Sequence, residues 1–291
     1  MEYFFQSIKT ASYWKYAILS VDAAKTFFAV IGTGWTLIAL ADFFHIYERD
    51  QFSKVTIVAL LVVAVVIVLA TRRPIYKISY KLPGRDLVIE VRIGDLFKIP
   101  GQKIVSTNTT FDTDIAGGII SPNSVQGQFT NYFYPQNIDG LNEHIDAALK
   151  DKPFKTIEKE KGKVKRYDLG TCIVFNQGRE RYYWLAMADM NFHNTAETSV
   201  DEVMGSLDNL WHFISTQGEM ENIVLPLIGT GRGRLTVSRK KLIAQIGQAF
   251  VSASESRIFS NKLIIVIRPK DVENFGINLY EVRDLLGNFI G

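Results

Sequence analysis

Two long apolar runs open the chain, Thr26–Phe44 and Val55–Ala70, joined by the polar stretch His45–Lys54. Beyond them apolar and polar positions alternate to the end of the sequence. The second run, VTIVALLVVAVVIVLA, has Thr56 as its single polar side chain. At ~1.5 Å rise per residue, a helix of this run with a flanking residue or two at each end comes close to spanning a ~30 Å hydrocarbon core. Backbone amides in lipid must be paired within their own segment, so both runs are expected as helices. The pattern predicts a membrane region over residues 1–77, with transmembrane helices at about 20–44 and 54–71, and a separate domain over 78–291.

Two other readings of the first run exist. Ala39-Leu40-Ala41 has the small-x-small form of a processing site, but the run follows a long aromatic-rich start, MEYFFQSIKTASYWKYAILS, unlike an ordinary leader. Gly32, Thr33, Gly34 and Asp42 would also suit a buried core hairpin; within a bilayer the small residues mark a face where another helix packs closely. The aromatic start either lies at the lipid interface or lengthens the first span. Lys9, Lys15 and Lys25 precede the first run and Arg72, Arg73, Lys77 and Lys81 follow the second, against Arg49 and Lys54 between them. This bias predicts a multi-pass membrane protein with both termini cytoplasmic. A single cysteine, Cys172, sits in the strand-like GTCIVF, which excludes a disulfide scaffold and reads as a small core residue.

The remainder reads as an α/β domain of three layers with a mixed or largely parallel sheet. Strands are expected at Asp86–Ile93 and Lys103–Thr107, and a helix from about Asp139 to Lys150. A strand pair, Asp168–Asn176 and Arg181–Ala188, turns at Gln177-Gly178. A helix capped near Thr198 or Ser199, with Glu202 completing the box, runs through Leu210, Trp211 and Ile214. Strand Asn222–Ile228, a helix over about Val237–Ala253, strand Lys262–Arg268 and a helix from about Leu279 follow. Lys150–Arg166 mixes charges of both signs and reads as a solvated connection.

The net charge of +3 is carried largely by the membrane-flanking lysines and arginines, and no basic stripe with interleaved aromatics follows, so nucleic acid is not an expected partner. His45, His144, His193 and His212 are scattered without a carboxylate or cysteine at ligand spacing, so no metal is expected. Neither a GxxxxGK[ST] loop nor a nucleophile elbow is present, and no catalytic residue is assigned.

Two strand-to-helix loops carry the candidate chemistry: the stretch after KIVST, NTTFDTDIAGGIISPNS, and GTGRGR at Gly229–Arg234. Glycine lets a backbone approach a ligand without a Cβ in the way, and a strand-to-helix loop aims free amides at one spot, the requirement for cradling phosphate. Taken in order, IGDLFKIPGQKIVSTNTTFDTDIAGGII and NIVLPLIGTGRG resemble the two ligand loops of the macro domain, over about residues 85 to 270.

The resemblance implies a macro-like three-layer α/β/α domain that binds an ADP-ribose derivative rather than holding a cofactor. It places Asp95 at the adenine amino group, Gly117, Gly118, Ile119 and Ile120 in the first phosphate loop, and Gly229, Thr230, Gly231, Arg232 and Gly233 in the second. Asp95 also has a local reading, as a turn former after Gly94. The family's asparagine-rich strand end is STNT here, leaving Asn108 or Thr109 beside the distal ribose and putting hydrolysis in doubt. Arg232 and Arg234 depart from the second-loop pattern and suit either further acceptors on the ligand or a solvated loop tip.

Two membrane helices followed by a macro domain resemble the membrane-bound effector of the second type of Thoeris antiphage system. That resemblance implies an ADP-ribose-containing signal, such as a histidine conjugate made by a partner TIR-domain enzyme. It further implies a ligand-induced homo-oligomer, and damage to membrane lipid that ends in abortive infection. Two alternatives remain open: an anchored ADP-ribosyl hydrolase using Asn108, Asp112 or Asp114, and a passive anchored ADP-ribose reader.

Overall fold

The computed structural model describes residues 11–46, 54–229, 235 and 237–290. The chain divides into two compact units, Met1–Tyr76 and Lys77–Gly291.

The first unit contains α1 (Ala11–Leu19), α2 (Val21–Phe43) and α3 (Lys54–Thr71). Ser20 separates the first two: its backbone is extended and its hydroxyl accepts from Ala23 N–H at 3.1 Å, capping α2. The aromatic start therefore does not lengthen the first span continuously. Arg72 follows α3, donates to Ser20 Oγ at 3.1 Å, and lies over the Tyr16 ring at 5.1 Å, joining all three helices. A Cβ on Gly34 would stand 2.5 Å from Leu60 Cδ1, so α2 meets α3 closely there, whereas Gly32 has open space beside it.

The 23 residues of α2 reach about 35 Å, long and apolar enough to cross a membrane. The expectation of two such helices needs correcting. With 18 residues α3 is about 27 Å long, short of a ~30 Å core, although it is the more apolar. Its last turn closes on itself, the Thr71 hydroxyl donating to the carbonyls of Ile67 and Val68, and Arg72 then turns toward Ser20.

The second unit is built on a sheet whose order is β1 (Lys77–Lys81), β2 (Val88–Ile93), β10 (Lys262–Ile267), β9 (Ile223–Pro226), β3 (Gln102–Asn108), β7 (Glu180–Met190) and β6 (Cys172–Gln177), with β8 (Ala196–Glu197) pairing to β7. Pairings from β2 through β7 are parallel, and the hairpins β1–β2, β6–β7 and β7–β8 are antiparallel, a mixed sheet as expected.

Both faces of β7 are buried. Tyr182, Trp184 and Ala186 meet Phe129 of α4 (Val125–Phe133) and Leu141 and Ile145 of α5 (Ile138–Leu149). The intervening Tyr183 turns to the other face, where its ring meets that of Phe213 of α6 (Val200–Gln217). On that face Trp211 of α6 packs edge-on against Phe250 of α7 (Arg239–Ser256). The short α8 (Pro269–Asn274) and α9 (Leu279–Ile290) close the chain, α9 lying along β1 and α7. These helical layers on either side of the sheet make three layers.

The stretch Lys150–Arg166 is more than a solvated connection. It forms a hairpin, β4 (Phe154–Thr156) with β5 (Lys165–Tyr167), and the Lys159 side chain on its loop is fully buried. Only a carboxylate brought from elsewhere in the chain makes such burial of an ammonium tolerable.

Candidate functional site

The parallel strands end on one edge, and there a cleft of about 830 Å³ opens, within the size range of small-molecule sites. Residues at the carboxyl ends of β2, β3, β9 and β10 line it: Gly94 and Asp95, Ser106 to Asn108, Pro226 to Gly229, and Val266 with Arg268. The crevice outside the carboxyl ends of parallel strands is where open α/β sheets bind ligands. Ser124 caps α4 by accepting from Gly127 N–H at 3.0 Å, so the positive end of that helix also faces the cleft through Ser124, Val125 and Gln126.

Asp95 lines the cleft at the carboxyl end of β2. Its Oδ1 accepts from Phe97 N–H at 3.0 Å, capping a 3-10 turn over Leu96–Lys98, so the turn-forming reading holds. The side chain is 46 % exposed and lines the cleft, and Oδ2, 4.0 Å from Lys98 Nζ, has room to accept from a ligand. Phe97 lines the cleft as well, and its ring stacks on Tyr132 at 6.2 Å.

A register shift between Thr107 and Asn108 turns the end of β3. Asn108 lines the cleft, but its Oδ1 already accepts from Thr110 N–H and Oγ1 and from Asp112 N–H at 3.0, 2.9 and 3.2 Å. Thr109 is fully buried with its hydroxyl 2.8 Å from Asp189 Oδ1, and it is not among the lining residues. Of these two candidates, Asn108 is the one placed at the ligand space.

Ile119 and Ile120 line the cleft, while Gly117 and Gly118, with Ile119, border an adjoining hollow of about 360 Å³ walled by Glu160, Lys161, His193, Asn194 and Thr195. Gly118 has φ +82°, and a Cβ on Gly117 would fall 2.0 Å from Asp114 Oδ2, whose partner Oδ1 accepts from Gly117 N–H at 2.7 Å. Gly118 therefore suits its left-handed backbone, and a side chain at Gly117 would displace the Asp114 carboxylate.

Gly229 lines the cleft with φ +76°. Thr230, Gly231, Arg232, Gly233 and Arg234 lie outside the described residues. The ends of that loop are clasped by a residue the sequence reading missed. Arg239, 8 % exposed, donates to the carbonyls of Gly229, Leu235 and Val237, and its guanidinium lies over Phe275 at 4.9 Å. Burial lowers the Arg239 pKa, with Asp271 opposing that effect. An arginine in the first turn of an otherwise ordinary helix carries no mark in sequence that it will bind carbonyls ten residues back.

The sequence matches the family described as Thoeris protein ThsA, Macro domain, over residues 89–268. It is 27% identical over 200 residues to the Thoeris protein ThsA of Bacillus amyloliquefaciens (strain Y2), the match covering 66% of each chain. The chain thus spans just under two thirds of the length of this relative. Among solved structures it is similar to the Oceanobacillus iheyensis macrodomain with MES bound (14% identity, TM-score 0.48, covering 73% of this chain and 98% of that one) and to the same macrodomain with ADP (13% identity, TM-score 0.44, covering 73% and 97%). The family match takes in more than half of the chain, from β2 to the end of β10 and the edge on which the cleft opens; the protein belongs to the Thoeris ThsA macro-domain family.

Proposed function

We propose that the cleft binds an ADP-ribose-type nucleotide and that binding, without turnover, switches an effector anchored by its N-terminal helices. The observation that carries this reading is that Asp95, Ile119, Ile120 and Gly229 line a single cleft. A carboxylate accepts from the exocyclic amine of adenine, and glycine-bounded loops with the α4 terminus suit a pyrophosphate. The groups that a hydrolase would use to orient water are already engaged. Asp112 is 1 % exposed and paired with Lys159, Asn108 Oδ1 accepts three hydrogen bonds, and Asp114 holds Gly117 N–H.

The output follows from α2, which is long and apolar enough to hold the chain in a bilayer, with α3 packed against it. Copies tethered in one membrane have a high effective concentration, so a nucleotide need only stabilise contacts between assembled domains. Going from about 1 % to about 99 % assembled takes ~5.5 kcal/mol of differential binding. In this reading a partner TIR-domain enzyme supplies the nucleotide, and assembly breaches the bilayer. The test is leakage of dye from liposomes carrying the full chain: ADP-ribose or a conjugate of it should release dye, and AMP or buffer should not. Binding with no leakage would leave an anchored reader in its place, and release of free ADP-ribose from modified protein would make it a hydrolase.

A further inference from the structure

The loop between β4 and β5, residues 157–164, lies on the first glycine loop and is held there by charge. Lys159 Nζ is 2.6 Å from Asp112 Oδ2 and 3.1 Å from Thr110 Oγ1, with the Lys159 and Asp112 side chains 0 % and 1 % exposed. Asp112 Oδ1 accepts from Lys163 N–H at 2.7 Å, so one carboxylate grips the segment at two points four residues apart. The far side of the segment is tied down as well, Glu160 N–H donating to the Phe192 carbonyl at 2.9 Å. Between these points Gly162 has φ +85°, and a Cβ on it would stand 2.3 Å from Asp112 Oδ1 and 2.7 Å from Ile119 Cδ1. Ile119 lines both the cleft and the adjoining hollow, and Glu160 and Lys161 wall that hollow.

A buried ion pair adds little net stability over an apolar pair of equal volume, so its use here points to placement. We infer that residues 157–164 form a strap latched by Lys159 and Asp112, which sets the shape of the Gly117–Ile120 loop and makes Lys159, Asp112 and Gly162 positioning residues for the phosphate-bearing half of the nucleotide. This rests on the nucleotide reading of the cleft. Residues 157–164 are not among those lining the cleft beside Asp95, which is set by β2 and the 3-10 turn.

The experiment compares Lys159→Met, Lys159→Arg and Gly162→Ala in the full chain, with ADP-ribose and adenosine as probes followed by ligand-observed NMR. Lys159→Met and Gly162→Ala should each weaken ADP-ribose by about tenfold or more, roughly one well-placed hydrogen bond. Adenosine, which has no phosphate, should bind as before, and Lys159→Arg should restore part of the loss. Unchanged ADP-ribose affinity in folded Gly162→Ala, or an equal loss for both probes, overturns the inference. If wild-type chain binds neither probe, the cleft reading fails by itself. Deuterium exchange then decides the strap: the Gly118 and Ile120 amides, bonded to the carbonyls of Ile115 and Asp114, should exchange faster in Lys159→Met, and equal exchange overturns it.

Discussion

Lys262 on β10 sets its Nζ 2.6 Å from Oε2 of Glu90 on β2, and Glu90 is fully buried. Arg92 Nη2 stands 2.6 Å from the other oxygen, and Lys77 Nζ of β1 is 4.0 Å away. One carboxylate thereby ties three strands at the edge of the sheet. Burial alone would raise the Glu90 pKa, but Lys262, then Arg92 and Lys77, outweigh it and hold the carboxyl below its ordinary value.

A depressed carboxyl stabilises the fold above its unfolded pKa, near 4.3, and that contribution disappears as pH falls through the folded value. Glu90→Gln should therefore destabilise the domain at neutral pH by about 1–3 kcal/mol, a buried-pair cost reduced because its cations are partly solvated. Thermal unfolding from pH 7 to pH 3 should show the gap between wild type and variant closing toward acid. A gap that stays constant with pH would show that Glu90 acts through packing alone.

Asp95→Asn separates the two jobs of that side chain. Asparagine keeps an oxygen for Phe97 N–H, so the 3-10 turn and the melting temperature should be preserved. Its amide cannot accept from adenine with the other arm, and loss of a charge-assisted hydrogen bond of ~1.5–3 kcal/mol should weaken ADP-ribose roughly ten- to a hundredfold. Calorimetry giving equal dissociation constants would leave Asp95 with the turn only.

Burial raises the Cys172 thiol to about 12, so at neutral pH it has almost no thiolate. A disulfide reagent should label the native chain at the rate of global unfolding, and denatured chain immediately. Rapid native labelling would mean that β6 opens locally.

In the hairpin the two glycines of α2 should part company. Gly34 is used inside the chain, against Leu60, so Gly34→Leu should loosen α2 from α3. Gly32 faces open space and is free for a neighbouring copy, so Gly32→Leu should leave the monomer intact, retain nucleotide binding and abolish growth arrest. Deleting residues 1–76 should likewise retain binding and abolish arrest. Arrest by the truncated chain would place the toxic element in the macro domain.

Much of the local structure was legible in sequence because neighbours along the chain decide it. The Ser199–Glu202 capping box forms with both reciprocal bonds, and the Gln177-Gly178 turn joins β6 to β7 with Gly178 at φ +63°. The glycine loops stood out for a similar reason: positive φ and close approach leave glycine as the residue of least strain. Period-two and period-3.6 patterns marked most strands and helices, and the apolar purity of α3 marked it as a helix, although not its length.

Partnerships between distant segments were not legible. Lys159 reads as one charge in a mixed run until the hairpin carries it to Asp112, 47 residues earlier, and nothing marks Arg239 until the fold brings the Gly229 carbonyl to its guanidinium. Asn108 and Thr109, adjacent in sequence, are sorted toward and away from the cleft by a register shift that depends on β7. The sequence by itself determined two apolar N-terminal helices, the alternating α/β elements and the positive-φ glycines at Gly118 and Gly229, since each is set by short-range sterics and solvation. Tertiary structure alone decided which charges are buried, which of the candidate side chains face ligand and what clasps the loops, because burying an ion is tolerable only where the fold delivers its counter-charge.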